Sequence, residues 1–260
     1  NASVQKIYEF PERGYIYDRN NKLIVSNDFS YDILVVPADV NLEDSILISK
    51  DFNIDTSVFN KKLLDAKNFS NVKASILINN ISKDEYAPIQ EKLWKHSGFF
   101  VQKKSKRTYN ALTAANLLGY ISEVNKSEVE KNSYYEIGEM IGRQGLEKTY
   151  EDKLRGVKGV KFFQKDKFNR IIGSYKNGDY DTLPIPSKDL TLTIDLDLQQ
   201  YGDSLMQNKR GSIVAIEPKT GDILALINSP SYDLRSLVDK NRSINYKKLE
   251  NDSIGKPLLE

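Results

Sequence analysis

The sequence predicts an α+β chain assembled from β-hairpins and short helices. Two kinds of segment carry that expectation. Some alternate apolar and polar residues on either side of turn formers, and others open on a helix cap followed by an apolar stripe. The two kinds are interspersed through 260 residues without an internal repeat or a low-complexity tract.

The elements follow in order. "RGYIYDRNNKLIVSN" (13–27) alternates on both sides of Asn20-Asn21, which tolerate the left-handed geometry of a tight turn, so it reads as a hairpin. "YDILVVP" reads as a further strand that Pro37 ends. "DTSVFNKKLLDAKN" is expected to be a helix capped by Asp55, with Phe59, Leu63 and Leu64 on its apolar face. Ser82 and Glu85 have capping-box spacing, with Tyr86, Ile89 and Leu93 as a stripe; Pro88 then implies a kink or a later start. "FFVQKKSKRTY" is strand-like, "ALTAANLLGY" is a short helix stopped by Gly119, and "SEVEKNSYYEIG" is a helix running into a loop. "RQGLEKTYEDKLRG" reads as one helix through Leu146, Tyr150 and Leu154, with Gly156 beyond it. "GVKFFQKDKFNRIIGSY" is expected to be a two-stranded ribbon turning at Lys167–Asn169. "NGDYDTLPIPSKD" is the best linker, which places a domain boundary near 184–188. Beyond it come a strand "LTLTI", a helix from Asp195 and a final hairpin.

Composition narrows the function. Charged residues make up 28% and hydrophobic ones 39%, as in a globular chain, and 38 basic side chains against 36 acidic leave a net charge of +2. No net field favours nucleic acid or anionic lipid. The absence of cysteine excludes disulfides, thiol catalysis and thiolate metal sites. No apolar run approaches the ~20 residues of a membrane span. The chain opens Asn1-Ala2-Ser3 without methionine and ends Leu259-Glu260, so it is expected to be a fragment, with residues 1–2 and 259–260 as candidate vector-derived ends.

One triplet raises a specific chemistry. Lys219-Thr220-Gly221 matches a signature of the penicillin-reactive serine enzymes. Here it follows Pro218 between two alternating segments, "GSIVAIEP" and "DILALI", so it reads as a turn and not as an active site. Ser-x-x-Lys occurs at Ser3–Lys6 and at Ser253–Lys256. The first lies at the chain start; the second carries Gly255 inside and Pro257 after it, which disfavours the helix that would bring lysine to hydroxyl. No catalytic residue, metal or cofactor is therefore assigned. A rival enzyme reading would use Ser253 as nucleophile and Lys219 as base.

The same stretches resemble class B penicillin-binding proteins. Arg13, Gly14, Asp18, Arg19 and Asn20 match the family's opening motif. Ala114, Ala115, Leu118, Gly119 and Tyr120 are similar to its second non-catalytic motif, and Gly142, Gly145, Leu146, Glu147, Tyr150, Leu154, Arg155 and Gly156 to its third. "LTLTIDLDLQ" and the final hairpin resemble the entry into the transpeptidase domain, and "KLENDSIGKPLL" is similar to the rod-elongation members.

The resemblance implies an elongated pedestal, the dimerisation domain, over residues 1–185, and the truncated start of a transpeptidase domain over 186–260, ending before the nucleophile. It implies a parent anchored by one upstream helix at the periplasmic face of the inner membrane, cross-linking peptidoglycan stem peptides by serine acyl transfer. Implied partners are a glycan polymerase, a shape-determining scaffold protein and a second copy, and no nucleic acid. The alternative is a self-contained extracytoplasmic scaffold protein.

Among signature residues, Arg13 and Asp18 lie five apart and would face opposite sides of one strand, so each is expected to pair elsewhere. Arg13, Asp18 and Arg19 are expected at the joint between pedestal and catalytic domain. Gly142, Gly145 and Gly156 are expected at turns by helix ends, and Glu147 in a helix first turn with no acid–base partner nearby. Asp195 and Asp197 read as an N-cap and a first-turn acid, not as a metal pair. His96 reads as a cation at a helix C-terminus, and Lys103, Lys104, Lys106 and Arg107 as a solvated strand face.

Overall fold

The computed structural model describes residues 3–41, 45–136, 138–165, 171–238 and 241–258. In chain order the strands are β1 (Ser3–Glu9), β2 (Ile16–Tyr17), β3 (Leu23–Val35), β4 (Ser75–Ile81), β5 (Phe99–Tyr109), β6 (Ile121–Glu123), β7 (Met140–Gly142), β8 (Gly159–Lys165), β9 (Ile171–Ser174), β10 (Leu190–Thr191), β11 (Gly211–Ile216) and β12 (Ile223–Ser229). The helices are α1 (Ser45–Asp51), α2 (Thr56–Phe69), α3 (Lys83–Leu93), α4 (Ala115–Leu118), α5 (Lys126–Lys131), α6 (Gly145–Thr149), α7 (Glu151–Leu154), α8 (Leu196–Leu205) and α9 (Arg242–Glu250). Strands and helices mix as an α+β fold requires. The chain forms two compact units, Asn1–Asn27 with Arg107–Glu260, and Asp28–Lys106.

The inserted unit is a sheet with helices on one face. Ile33, Val35, Leu77, Ile81 and Phe99 from the strands meet Phe52 just after α1, Phe59, Leu63 and Ala66 from α2 and Ile89 from α3. Asp55 caps α2 by accepting the Ser57 and Val58 N–H groups, as its sequence position predicts. Leu64, expected on the buried face, is 58% exposed instead, because the stripe runs through Phe59, Leu63 and Ala66. The Ser82–Glu85 capping box forms, and α3 keeps Pro88 inside it, so the helix does not start later. His96, just past that helix, places Nε2 2.9 Å from Asp51 Oδ2, a more specific partner than a helix end.

In the larger unit β2 runs antiparallel to β3 across the expected turn, with Asn21 at φ 61°. The second strand of that hairpin is longer than expected, since "KLIVSN" and "YDILVV" fuse into the thirteen-residue β3. β10 adds to β2 in parallel. β1 pairs with β8 and β8 with β9, which makes the expected ribbon; its turn at Lys167–Asn169 lies outside the described residues. The single helix expected in "RQGLEKTYEDKLRG" is broken into α6 and α7 at Tyr150, whose φ −105°, ψ 23° is not helical.

A buried apolar cluster lies at the centre of this unit. Ile16, Ile24, Val25, Tyr109, Leu118 and Leu154 share it with Leu196, Leu234 and Leu237. The boundary expected near 184–188 thus falls inside a compact unit, because apolar residues from both sides of it pack together.

The last hairpin rests on α8, where Gly202 approaches Ile227. Its β12 edge is capped by side chains and loop backbone. Leu224 O accepts the Asp195 N–H, and the buried Gln199 amide pairs with both the N–H and the C=O of Leu226. A glutamine thus does what a neighbouring strand would do, satisfying an otherwise open edge.

Candidate functional site: a buried arginine–glutamate network

The third signature segment places Glu147 on α6 and Glu151 at the start of α7, four residues apart and on one side. Arg13, in the segment before β2, reaches both. Its Nε donates to Glu147 Oε2 at 2.6 Å and its Nη2 to Glu151 Oε2 at 2.6 Å, with Nη2 also 3.1 Å from Glu147 O. Arg107, near the end of β5, donates Nε to the other Glu147 oxygen at 2.7 Å and Nη1 to Asn27 Oδ1 at 2.9 Å. Asn27 in turn donates to Arg13 O.

Burial makes this arrangement consequential. The Glu147 and Arg107 side chains are 0% exposed, and those of Arg13 and Glu151 only 10% and 12%. Two cations face two carboxylates, so no net charge is left in the interior, and each Glu147 oxygen has its own guanidinium. Burial works against the Arg13 charge, but Glu147 and Glu151 more than offset it, holding its pKa above the ordinary arginine value.

The network extends outward. Glu151 also accepts the Gly142 N–H at 2.9 Å and the Tyr135 hydroxyl at 3.2 Å. Arg155 donates to that hydroxyl at 2.6 Å, lies 3.9 Å over the Tyr134 ring and pairs with Asp152. Of the three glycines expected at turns, Gly145 opens α6 and Gly156 follows α7, with φ 58° and 66°. Gly142 is not at a turn. It sits in β7, where a Cβ would fall 2.1 Å from Glu147 O, so close approach of two backbones explains it. Gly14 is similar, with Lys188 O in the way of any side chain.

Asp18 and Arg19 lie on the hairpin turn and, as expected, do not pair with Arg13. Asp18 is fully buried; Oδ1 accepts the Asn20 and Lys22 N–H groups at 2.8 and 2.7 Å, and Oδ2 the Leu196 N–H at 3.2 Å. The same turn meets the α8 N-terminus again through Asn20–Asp195 and Lys22–Asp197, and Arg19 Nη2 lies 3.8 Å from Glu217. Asp195 caps α8, as read from sequence.

Lys219 and Thr220 lie in the bend between β11 and β12, closed by Gly221 N–H to Glu217 O at 2.8 Å, with Gly221 at φ 79°. Ser253–Lys256 lies in turns after α9, and Ser3–Lys6 lies on β1. Neither serine opens a helix.

Sequence reading missed Arg107, Asn27, Tyr135 and Glu151. Arg107, expected to be solvated, is buried at the centre of the network. The signal was available: on an alternating strand Arg107 shares a face with Phe99 and Tyr109, both buried. Lys103 and Lys104 remain substantially exposed as expected, although Lys104 pairs with Asp32 and Lys103 lies 3.3 Å from the Phe29 ring.

Glu147→Gln leaves the buried Arg107 guanidinium without a carboxylate and Arg13 with Glu151 alone, and denaturant unfolding should show a loss of about 3–5 kcal/mol. Combined with Arg107→Met, the loss should be smaller than the sum of the two single changes. Burial first, then Glu151, pushes the Tyr135 phenol up to about 12 from 10.0, and burial does the same for Tyr120. The folded state therefore holds those protons longer than the unfolded chain. Stability should be unaffected by these phenols below pH 10 and should fall as pH rises toward 12, less steeply in Tyr135→Phe.

A family model described as the penicillin-binding protein dimerisation domain matches residues 8–192. The peptidoglycan D,D-transpeptidase MrdA of Acinetobacter baumannii is 30% identical over 256 residues, which cover 95% of this chain and 37% of the relative. MrdA of Escherichia coli K12 is 30% identical over 259 residues, covering 93% and 39%. Among solved structures, a complex between penicillin-binding protein PBP2 and MreC from Helicobacter pylori matches with TM-score 0.76 at 25% identity, over 99% of this chain and 48% of that one. The chain thus spans well under half the length of these curated relatives. With the family model spanning residues 8–192, most of the chain, this protein belongs to the penicillin-binding protein dimerisation-domain family.

Proposed function

We propose that this chain is the N-terminal, non-catalytic part of a peptidoglycan D,D-transpeptidase of the PBP2 type. Residues 1–185 act as the pedestal, and 186–260 begin the transpeptidase domain. The pedestal holds the catalytic part in place and offers surfaces to protein partners. The parent, anchored through an upstream helix, cross-links stem peptides by serine acyl transfer on the extracytoplasmic side.

One observation carries the reading: the residues matching the family's motifs converge on contacts, not on a reactive centre. Arg13, Glu147 and Arg155 belong to one charge-balanced network. The turn at Asp18–Lys22 is bound to the segment 194–197, which supports its assignment as the joint. Lys219-Thr220-Gly221, the one triplet that suggests acyl transfer, is spent on reversing a strand.

Partners follow from likeness. The matched PBP2 structure is a complex with MreC, which supports a shape-determining scaffold protein as a partner here. A glycan polymerase and a second copy are proposed from the family resemblance alone. Among the described residues no helix is long and apolar enough to cross a membrane.

Incubated with fluorescent penicillin, this chain should take up no covalent label, and stoichiometric labelling of any serine would refute the non-catalytic reading. The joint has its own test. Asp18→Ala leaves the turn N–H groups of Asn20 and Lys22 and the N–H of Leu196 without their buried acceptor, which should cost roughly 2–3 kcal/mol and speed amide exchange at Lys22 and Leu196 together. Exchange that rises at Lys22 alone would mean the turn is not held to α8 by this carboxylate.

A further inference from the structure

The segment Ser253–Leu258 follows α9 as a series of turns with no strand to hold it. Its N–H groups are satisfied locally, Ile254 and Gly255 donating to Asp252 Oδ1 and Lys256 to Asp252 O. Its carbonyls are not. Three are taken by side chains from elsewhere in the same unit: Ile254 O by Arg210 Nη2 at 2.7 Å, Pro257 O by Asn116 Nδ2 at 3.2 Å and Leu258 O by Gln144 Nε2 at 3.4 Å.

Asn116 and Gln144 come from the second and third signature segments, and the backbone around them is unusual. Ala114 sits in the left-handed region at φ 54°, ψ 34°, an uncommon place for a residue with a Cβ. On one side of it Thr113, itself buried, donates to Asp203 of α8; on the other Asn116 reaches Pro257. Gly119 allows Gln144 O to approach where a Cβ would stand only 1.8 Å away. That contact fixes Gln144, which is 6% exposed and uses both ends of its amide, accepting from the Tyr232 hydroxyl at 3.2 Å while donating to Leu258 O. Gln144 also immediately precedes α6, the helix that carries Glu147.

A buried amide at Gln144 and a half-buried one at Asn116 are a costly way to pack a segment that apolar side chains could cover. What they add is direction, because a donor aimed at a carbonyl fixes the path of the backbone and not merely its burial. We propose that Asn116 and Gln144 are positioning residues: together they fix the course of Ile254–Leu258, and through it the placement of the acylating serine in the parent transpeptidase. The second half rests on the function proposed above, in which this stretch leads toward the nucleophile. Their effect on the reaction is indirect, through geometry, where displacement by an ångström can cost on the order of a hundredfold.

The test uses Asn116→Leu and Gln144→Met, alone and together, in this chain and in the whole protein with its native continuation. Ile24→Val, a core truncation remote in sequence from the strap, serves as the control for simple loss of stability. Amide exchange across 253–258 should rise roughly tenfold in the double variant and not in the control. The second-order rate of acylation of the whole protein by fluorescent penicillin should fall about tenfold in the double variant, with the control at the parental rate. Unchanged exchange overturns the clasp. Raised exchange with an unchanged acylation rate overturns the positioning role. If the unmodified whole protein takes no label, the transpeptidase reading and the positioning role fail together, while the exchange result alone still decides the clasp.

Discussion

A carboxylate with no access to solvent needs partners where it stands, and Glu147 is neutralised by two arginines from distant parts of the chain. Arg13 arrives from the segment before β2 and Arg107 from the end of β5. Neither guanidinium can be withdrawn without leaving a buried charge exposed to its neighbours. The constraint therefore fixes where three sequence-distant segments meet. Glu151 extends it to Tyr135, Gly142 and, through the tyrosine, Arg155. The glycines around the network answer the same demand, since Gly142 and Gly14 lie where backbones must come closer than any side chain permits.

A second theme is the satisfaction of backbone groups by side chains where regular structure ends. Asp18 serves a hairpin turn and a helix N-terminus at once. Gln199 stands in for a strand along β12, and Asn116 and Gln144 take the carbonyls of an irregular segment. Each is a polar side chain buried or half-buried because backbone groups near it would otherwise lack partners. Short strands and short helices create many such ends.

These two themes give the proposed pedestal its physical meaning. A module that holds another domain needs a defined geometry more than it needs reactive groups. Charge-balanced, directional contacts provide it better than apolar packing alone. The common core agrees, since residues before and after the linker at 177–189 pack into it together.

The alternation of "GSIVAIEP" and "DILALI" around a Pro–Gly bend was enough to place Lys219-Thr220-Gly221 in a turn, because local backbone chemistry decides it. Caps at Asp55, Ser82 and Asp195 were legible for the same reason: donor and acceptor lie within a few residues. Motif residues could be recognised in order, but not what they touch. The fate of Arg107 depended on Glu147, forty residues away in sequence, and that of Arg13 on residues more than 130 away. Whether a basic residue on a strand meets water or a carboxylate is set by what packs over its face. Likewise the break at Tyr150, the fusion of two expected strands into β3 and the packing of residues from both sides of the linker into a shared core are long-range features, which no local pattern encodes. Local chemistry and motif order specify the turns at Asn20-Asn21 and Pro218–Gly221, the caps and the family, because the partners lie within a few residues; which charges are buried and which segments they join depends on contacts between residues far apart in the chain.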